Sequence, residues 1–460
     1  MRFFSNMATL VVFIYFSHNI LKVDNGNYVN FWVYLTVLST VATAGVAMLS
    51  FTYSAATLRK LAAQISWRYY SAYLLFVLAV SVVFCSLVYF NGYAQASILP
   101  ILLMFFVGNV LNVLFEAFLM NFKKFKFLLS SSILYAVAYV AIHLYIAQSG
   151  YDFYKIIGCL SVLVVAKLLL NIFVCRQAFR AVDVADAVPI HLSRVRSTWL
   201  HLFAFEGSQI FVRYLDKLLV SFIVVKELSA IYFNGTVDIP FLPILLAAVS
   251  NSASLFLSKS QRNDKLLHKQ IISDSSSIMA TASFSLFAFL FFYRNEFIAV
   301  AFSEKYIASI PIFAVALLKL LPNIFTLPFY LQYKQRAGLI NKGAIIDVII
   351  TIILLYPLYT WVGLAGIVLS FVLSSFVQGA YYTYCAAKLL QVSPLSLLPV
   401  RNWALKMIVF TGLAYTSHYL LSGFLSENVR LIFGVLIIGA AGFAWLLYEY
   451  KKSKLLNFAT

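Results

Sequence analysis

The chain is poor in charge. Only 11% of its 460 residues are Asp, Glu, Lys or Arg, where a soluble domain carries about 25%. So few ionisable side chains cannot cover a water-facing surface of this size, which excludes a soluble globule. Acids are the scarcer sign, 16 against 34 bases, leaving a formal net charge of +18. In a soluble chain that balance would point to nucleic acid. Here the bases sit in short connectors, where membrane orientation explains them, and no nucleic-acid partner is expected. Cysteine is rare and unpaired. Cys85, Cys159, Cys175 and Cys385 all fall inside apolar runs, so neither a disulfide framework nor a metal cluster is expected. Also missing are a Gly-rich phosphate loop with a Walker lysine, metal-ligand spacing, a nucleophile–base pair and any long outer connector. No enzyme activity and no cofactor are expected. His18, His143, His201 and His418 lie in or near apolar runs without ligand-like spacing and receive no role.

Apolar residues, by contrast, are abundant. They make up 63% of the chain, aromatics alone 17%, and mean hydropathy is +0.91. Runs of about 20 apolar residues recur throughout, long enough to span roughly 30 Å of hydrocarbon as helices. Backbone groups in lipid must be satisfied within their own segment, and no ten-residue alternation suggests a barrel. The expected fold is an all-α polytopic membrane protein with fourteen transmembrane helices. The spans are 3–21, 29–53, 71–90, 98–120, 127–148, 156–175, 198–224, 229–257, 271–293, 307–331, 343–361, 363–387, 403–422 and 429–449. The first lacks a cleavage site before Lys22 and reads as a retained helix.

Charge then sets the orientation. Arg2 and the connectors after even-numbered spans hold 24 of the 34 bases: Arg59, Lys60, Arg68; Lys123, Lys124, Lys126; Arg176, Arg180, Arg194, Arg196; Lys259, Arg262, Lys265, Lys269; Lys334, Arg336, Lys342; Lys388, Arg401, Lys406; and Lys451, Lys452, Lys454. Lys22, Lys155, Lys226, Arg294, Lys305 and Arg430 lie on the other side. The crowded side is cytoplasmic, so both termini are expected there. Span seven carries Glu206, Arg213, Asp216 and Lys217, yet it must cross, because otherwise every later basic loop would change sides.

The chain also repeats. Asn121-Phe122-Lys123-Lys124 after span four corresponds to Gln332-Tyr333-Lys334-Gln335 after span ten, 211 residues on. Spans three and nine, and six and twelve, recur at similar offsets. The expected organisation is a six-helix lobe over 1–180, a cytoplasmic loop over 181–197, a second six-helix lobe over 198–390, and two appended helices with a basic tail over 391–460. A parallel repeat of this kind is one plan used by secondary transporters.

Polar side chains within spans are costly, about 2.5–3.5 kcal/mol for a charge at the bilayer centre, so their helical phase points to protein or to a hydrated cavity. Asn109, Asn112 and Glu116 share a face of span four; Lys167 and Asn171 share one of span six. Span seven aligns Glu206, Gln209, Arg213 and Asp216 or Lys217. Span eight has Asn234 and Asp238 before Pro240 and Pro243, and span ten has Lys319, Pro322, Asn323 and Thr326. Asp347 and Thr351 mark span eleven; Ser370, Ser374 and Gln378 mark span twelve. These groups either line a cavity between two lobes or tie helices together. Most Tyr and Phe read as lipid-facing or interfacial.

Tyr214-Leu215-Asp216-Lys217-Leu218-Leu219-Val220 and Glu227-Leu228-Ser229-Ala230-Ile231-Tyr232 resemble the opening of the second lobe in Wzx-type lipid-linked oligosaccharide flippases of the multidrug/oligosaccharidyl-lipid/polysaccharide exporter superfamily. Gln332-Tyr333-Lys334-Gln335 and Gly363-Leu364-Ala365-Gly366-Ile367 resemble that family's span-ten exit and span-twelve start, while Asn25-Gly26-Asn27-Tyr28 matches its first turn only loosely. The resemblance implies transfer of an undecaprenyl-diphosphate-linked repeat unit, as in O-antigen synthesis, to the outer leaflet of a bacterial inner membrane. It also implies membrane lipids and polysaccharide assembly proteins, a polymerase and a chain-length regulator, as partners. On that reading Arg213, Lys217, Lys319 and Lys167 are candidates for holding the anionic head group. Glu116, Asp238, Asp347, Glu206 and Asp216 are candidates for ion coupling, or counter-ions. A cation-coupled drug or metabolite exporter of the same superfamily and a lipid II flippase remain open alternatives.

Overall fold

A computed structural model describes residues 2–93, 95–183, 192–237, 239, 241–259, 264–325 and 327–452. Asp238, Pro240, Arg262, Thr326 and Lys454 lie outside the described residues, as do the side chains of Arg2, Arg194, Gln209, Pro243 and Lys259. Among the described residues every regular element is a helix. The chain divides into two compact units, Met1–Ala230 and Ile231–Thr460.

The first unit contains α1 (Arg2–Asn19), α2 (Lys22–Thr43), α3 (Val46–Thr52), α4 (Ala55–Gln64), α5 (Trp67–Phe90), α6 (Leu99–Asn121), α7 (Phe125–Gln148), α8 (Phe153–Ala181) and α9 (Leu192–Ile223). Its core is aromatic: Phe16, Tyr28, Phe31, Phe84, Phe105 and Phe106 are fully buried together. α2 and α3 form one bent segment, with a 49° break. Ala44 and Gly45 both take left-handed conformations there, which stops one helix and starts the next. Gly45 has a second reason to be glycine, since a Cβ would lie 2.7 Å from the Phe203 backbone nitrogen on α9. α9 packs on α2 and α3 and falls within the first compact unit. α4 is a short polar helix capped by Ser54, whose side chain accepts the Thr57 N–H.

α10 (Lys226–Gly235) crosses the unit boundary. The second unit continues with α11 (Phe241–Lys259), α12 (Lys265–Phe292), α13 (Arg294–Phe302), α14 (Ile310–Leu317), α15 (Pro328–Tyr333), α16 (Ala337–Val362), α17 (Leu364–Leu390), α18 (Pro394–Leu397), α19 (Val400–Ser422) and α20 (Glu427–Lys452). α16 and α17 pack tightly because Gly366 lets the backbones meet; a Cβ there would fall 1.9 Å from the Leu358 carbonyl oxygen. Span ten is broken: the 3-10 stretch Leu318–Ile324 separates α14 from α15, as Pro322 inside it removes a backbone donor. The appended helices α19 and α20 are pinned at two places. Near one end, Lys406 is fully buried, 3.0 Å from Glu449, and donates to the Ser277 carbonyl and hydroxyl at 2.7 and 2.8 Å. Near the other, buried Glu296 meets His418 at 2.8 Å and Arg430 at 3.2 Å. Lys406 is therefore a packing group, not a connector charge as its sequence position suggested.

Fourteen helical segments coincide with the fourteen expected spans, counting α2–α3, α10–α11 and α14–α15 as one each. Among the described residues nine are long and apolar enough to cross a membrane alone, and α2–α3 makes a tenth. α1, α9, α10–α11 and α19 are shorter or more polar. Lipid-facing stripes are plain on α16, where Ile345, Ile349, Ile352, Ile353 and Tyr356 are exposed, and aromatic side chains stand out at segment ends (Trp67, Phe90, Trp361, Phe424), as membrane interfaces favour. The two connectors paired by their side chains turn alike, in a register shifted by one residue. Lys123 and Gln335 both have positive φ (57° and 56°). The Lys124 N–H donates to Leu119 O, and Arg336 N–H to Leu331 O. Lys123 thus matches Gln335, an offset of 212 instead of 211; the single left-handed residue sets where the chain turns, and the similar side chains around it had suggested the neighbouring alignment.

Candidate functional site

Within the first unit lies a cavity of about 180 Å³, room for several waters. Four helices build most of it. α6 supplies Asn109, Asn112 and Glu116, α8 supplies Val164 and Lys167, α7 supplies Tyr135 and Tyr139, and α1 supplies Ser5 and Thr9, with Trp32 of α2 closing one wall. Close approach of α6 to α8 depends on Gly108, where a Cβ would meet Val164 at 2.6 Å. Asn112 donates to the Val164 carbonyl at 2.9 Å and accepts from Asn171 at 2.8 Å. The polar faces of spans four and six are therefore partly helix ties and partly cavity wall.

The charged centre is an ion pair. Lys167 Nζ lies 2.6 Å from Glu116 Oε1, their side chains 16% and 25% exposed. Lys167 also sits 4.3 Å from the centre of the Tyr135 ring, a cation–π contact that helps hold an ammonium out of bulk water. One predicted head-group cation and one predicted coupling acid thus meet in the same cavity.

The other candidates are placed elsewhere. On α9, Arg213 is exposed beside the Tyr214 ring, while Asp216 and Lys217 are buried, with Lys217 Nζ 5.4 Å from the same ring. Along the expected stripe burial changes within one turn, from exposed Arg213 to buried Asp216 and Lys217. Glu206 accepts from the Thr43 hydroxyl at 3.5 Å. None of these four lines the cavity. In the second unit, Lys319 stands over the Phe371 ring at 5.2 Å and acts electrostatically on buried Asp347, which lies beside Ser374. Thr351 bonds Ser374 at 2.8 Å and Gln378 reaches Gly343 O at 3.3 Å, so the polar residues of spans eleven and twelve tie α16 to α17.

Sequence reasoning missed the α7 wall and the group behind it. Tyr28 Oη lies 2.8 Å from both Tyr139 Oη and His143 Nε2, and His143 Nδ1 lies 2.7 Å from the Tyr139 carbonyl. A signal was present, since Tyr135, Tyr139 and His143 recur every fourth residue and so share one helical face. Among the described residues no three His, Cys, Asp or Glu cluster as a metal site would.

Comparison by fold gives a consistent answer. A lipid II flippase, MurJ, in an inward closed conformation matches with a TM-score of 0.69 over 98% of both chains at 13% identity. The chain shares that protein's fold. An inward-facing multidrug resistance MATE family transporter of the MOP superfamily matches at 0.58, with 13% identity, over 85% of this chain and 94% of its own. The eukaryotic MATE transporter AtDTX14 matches at 0.51, with 13% identity, over 89% and 95%. No family model and no curated protein matches by sequence.

Proposed function

We propose that the chain is a flippase that moves a polyprenyl-diphosphate-linked oligosaccharide repeat unit from the cytoplasmic to the outer leaflet of a bacterial inner membrane by alternating access, with both termini cytoplasmic. The observation that carries this reading is the likeness to a lipid II flippase along 98% of both chains, appended helices included, together with a polar cavity holding an ammonium. A diphosphate and its sugars must cross hydrocarbon while the polyprenyl tail stays in lipid. A hydrated, cationic site lowers that barrier because it replaces water around the phosphates with fixed donors.

Lys167 is the clearest candidate for the first unit. A cargo diphosphate would compete with Glu116 for its ammonium and leave the carboxylate free to take a proton or cation, so that cargo and ion exchange at one place. Arg213, Lys217 and Lys319 are assigned as further head-group cations. Glu206, Asp216, Asp238 and Asp347 are assigned as coupling acids or counter-ions. A polysaccharide polymerase and a chain-length regulator are the assembly partners this reading implies.

The test is flipping of a fluorescent lipid-linked repeat in proteoliposomes, with lipid II and a cationic drug as parallel cargoes. Lipid-linked oligosaccharide should cross. Lipid II is the second reading, favoured by the same full-length likeness. Drug transport alone would refute both. Arg213→Ala and Lys319→Ala should insert normally and flip at least about tenfold more slowly, the loss of one charge-assisted contact of roughly 1.5–3 kcal/mol; wild-type rates in both variants would remove those two residues from the site.

A further inference from the structure

The buried Tyr139–Tyr28–His143 chain has one direction. A carbonyl oxygen only accepts, so His143 Nδ1, 2.7 Å from the Tyr139 carbonyl, carries the hydrogen. In the neutral ring Nε2 is then an acceptor, and the Tyr28 hydroxyl must donate to it. With its one hydrogen committed, Tyr28 Oη accepts from the Tyr139 hydroxyl. His143 and Tyr28 are fully buried, while Tyr139 lines the cavity. A single file of hydroxyls therefore runs from a residue of the cavity wall to a fully buried histidine.

We propose that His143 is a proton-binding site loaded from the cavity through Tyr139 and Tyr28. A hydronium in the cavity gives a proton to Tyr139 Oη as Tyr139 passes its own to Tyr28 and Tyr28 passes its own to His143 Nε2. Each tyrosine receives one proton and loses one, and the imidazole gains one. Afterwards every bond points the other way: Nε2–H donates to Tyr28, Tyr28 to Tyr139, and the Tyr139 hydroxyl donates into the cavity. One buried protonation thus converts a cavity hydroxyl from a group committed to the protein into a donor for cargo.

The groups around the site decide its charge balance. Tyr28 and Trp32 face it from α2, Tyr139 from its own helix, and the Phe16 ring from α1. Tyr151 lies beyond Phe16, with Asp24 and Asp152 acting on it. Across the cavity wall stand Tyr135 and the Lys167–Glu116 pair. An imidazolium here is disfavoured by Lys167 and favoured by any anion drawn into the cavity, so proton and anionic cargo bind with positive, reciprocal coupling. That consequence rests on the diphosphate reading above; the proton site itself does not.

Ring-nitrogen NMR of the full-length protein, 15N-labelled at histidine in nanodiscs, tests both. The His143 signal is assigned by its loss in His143→Gln, and by its shift in Tyr28→Phe should the former not accumulate. Expected is a neutral Nδ1–H ring that becomes doubly protonated, reversibly, as pH falls in the folded protein. Proton exchange at this ring should slow at least tenfold in Tyr139→Phe and in Tyr28→Phe, which keep the ring packing. A ring that stays neutral until the protein unfolds, or wild-type exchange in both variants, overturns the proposal. Inorganic pyrophosphate should move the midpoint to higher pH; a midpoint that titrates but ignores pyrophosphate keeps the proton site and refutes the diphosphate cargo.

Discussion

Replacing Lys167 with methionine separates a structural ion pair from a transport group. The pair is short, 2.6 Å, and its members are 16% and 25% exposed. Exposed pairs are worth about 0.2–1 kcal/mol, and removing one partner of a fully buried pair costs about 3–5 kcal/mol. Partial burial places Lys167→Met between these limits, about 1–3 kcal/mol, including the lost contact with Tyr135, worth about 0.5–2 kcal/mol. Most of the cost is the stranded Glu116 carboxylate, so Lys167→Met with Glu116→Gln should recover much of it. Thermal unfolding in detergent, run as a double-mutant cycle, reads the coupling, and flipping in proteoliposomes reads the function. The expected outcome is a double variant that regains stability while flipping stays at least about tenfold down, the loss expected for one charge-assisted contact of roughly 1.5–3 kcal/mol. A double variant no more stable than Lys167→Met denies the coupling. One that flips at the wild-type rate removes this charge pair from the cargo route.

Three further outcomes are expected. Gly366→Ala should cost several kcal/mol or abolish accumulation, since its Cβ would overlap the Leu358 carbonyl, whereas Gly412→Ala, with open space around it, should be neutral or gain up to about 1 kcal/mol; melting temperatures compare them. Lys406→Met should destabilise by about 3–5 kcal/mol by stranding Glu449, while Lys452→Met, at an exposed helix end, should change stability by less than about 0.5 kcal/mol. Cysteine introduced at Lys124 should react with a membrane-impermeant maleimide from the cytoplasmic side only, and cysteine at Gly92 from the outer side only; the reverse pattern would overturn the orientation read from the basic connectors.

The membrane class and the fourteen segments were legible in the sequence because they follow from quantities that add along the chain: apolar length, charge count and connector sign. The same reasoning found Glu116 and Lys167, since an ionised group inside an apolar run stands out one residue at a time. Arg213, Asp216 and Lys217 show its limit. They lie within one helical turn, yet Arg213 is exposed while Asp216 and Lys217 are buried, because what packs against each turn of a helix is not written in hydropathy.

Only the tertiary structure decided which polar groups meet. Tyr28 and His143 lie 115 residues apart and join because α2 and α7 pack around the same aromatic core. Lys406 counted as a surface charge until Ser277 and Glu449 enclosed it, and one left-handed residue moved the repeat register by a position. Partition into lipid is a property of each segment by itself, so sequence determines it. Hydrogen-bond partners are chosen by close packing between distant segments, and no single run of residues contains that choice.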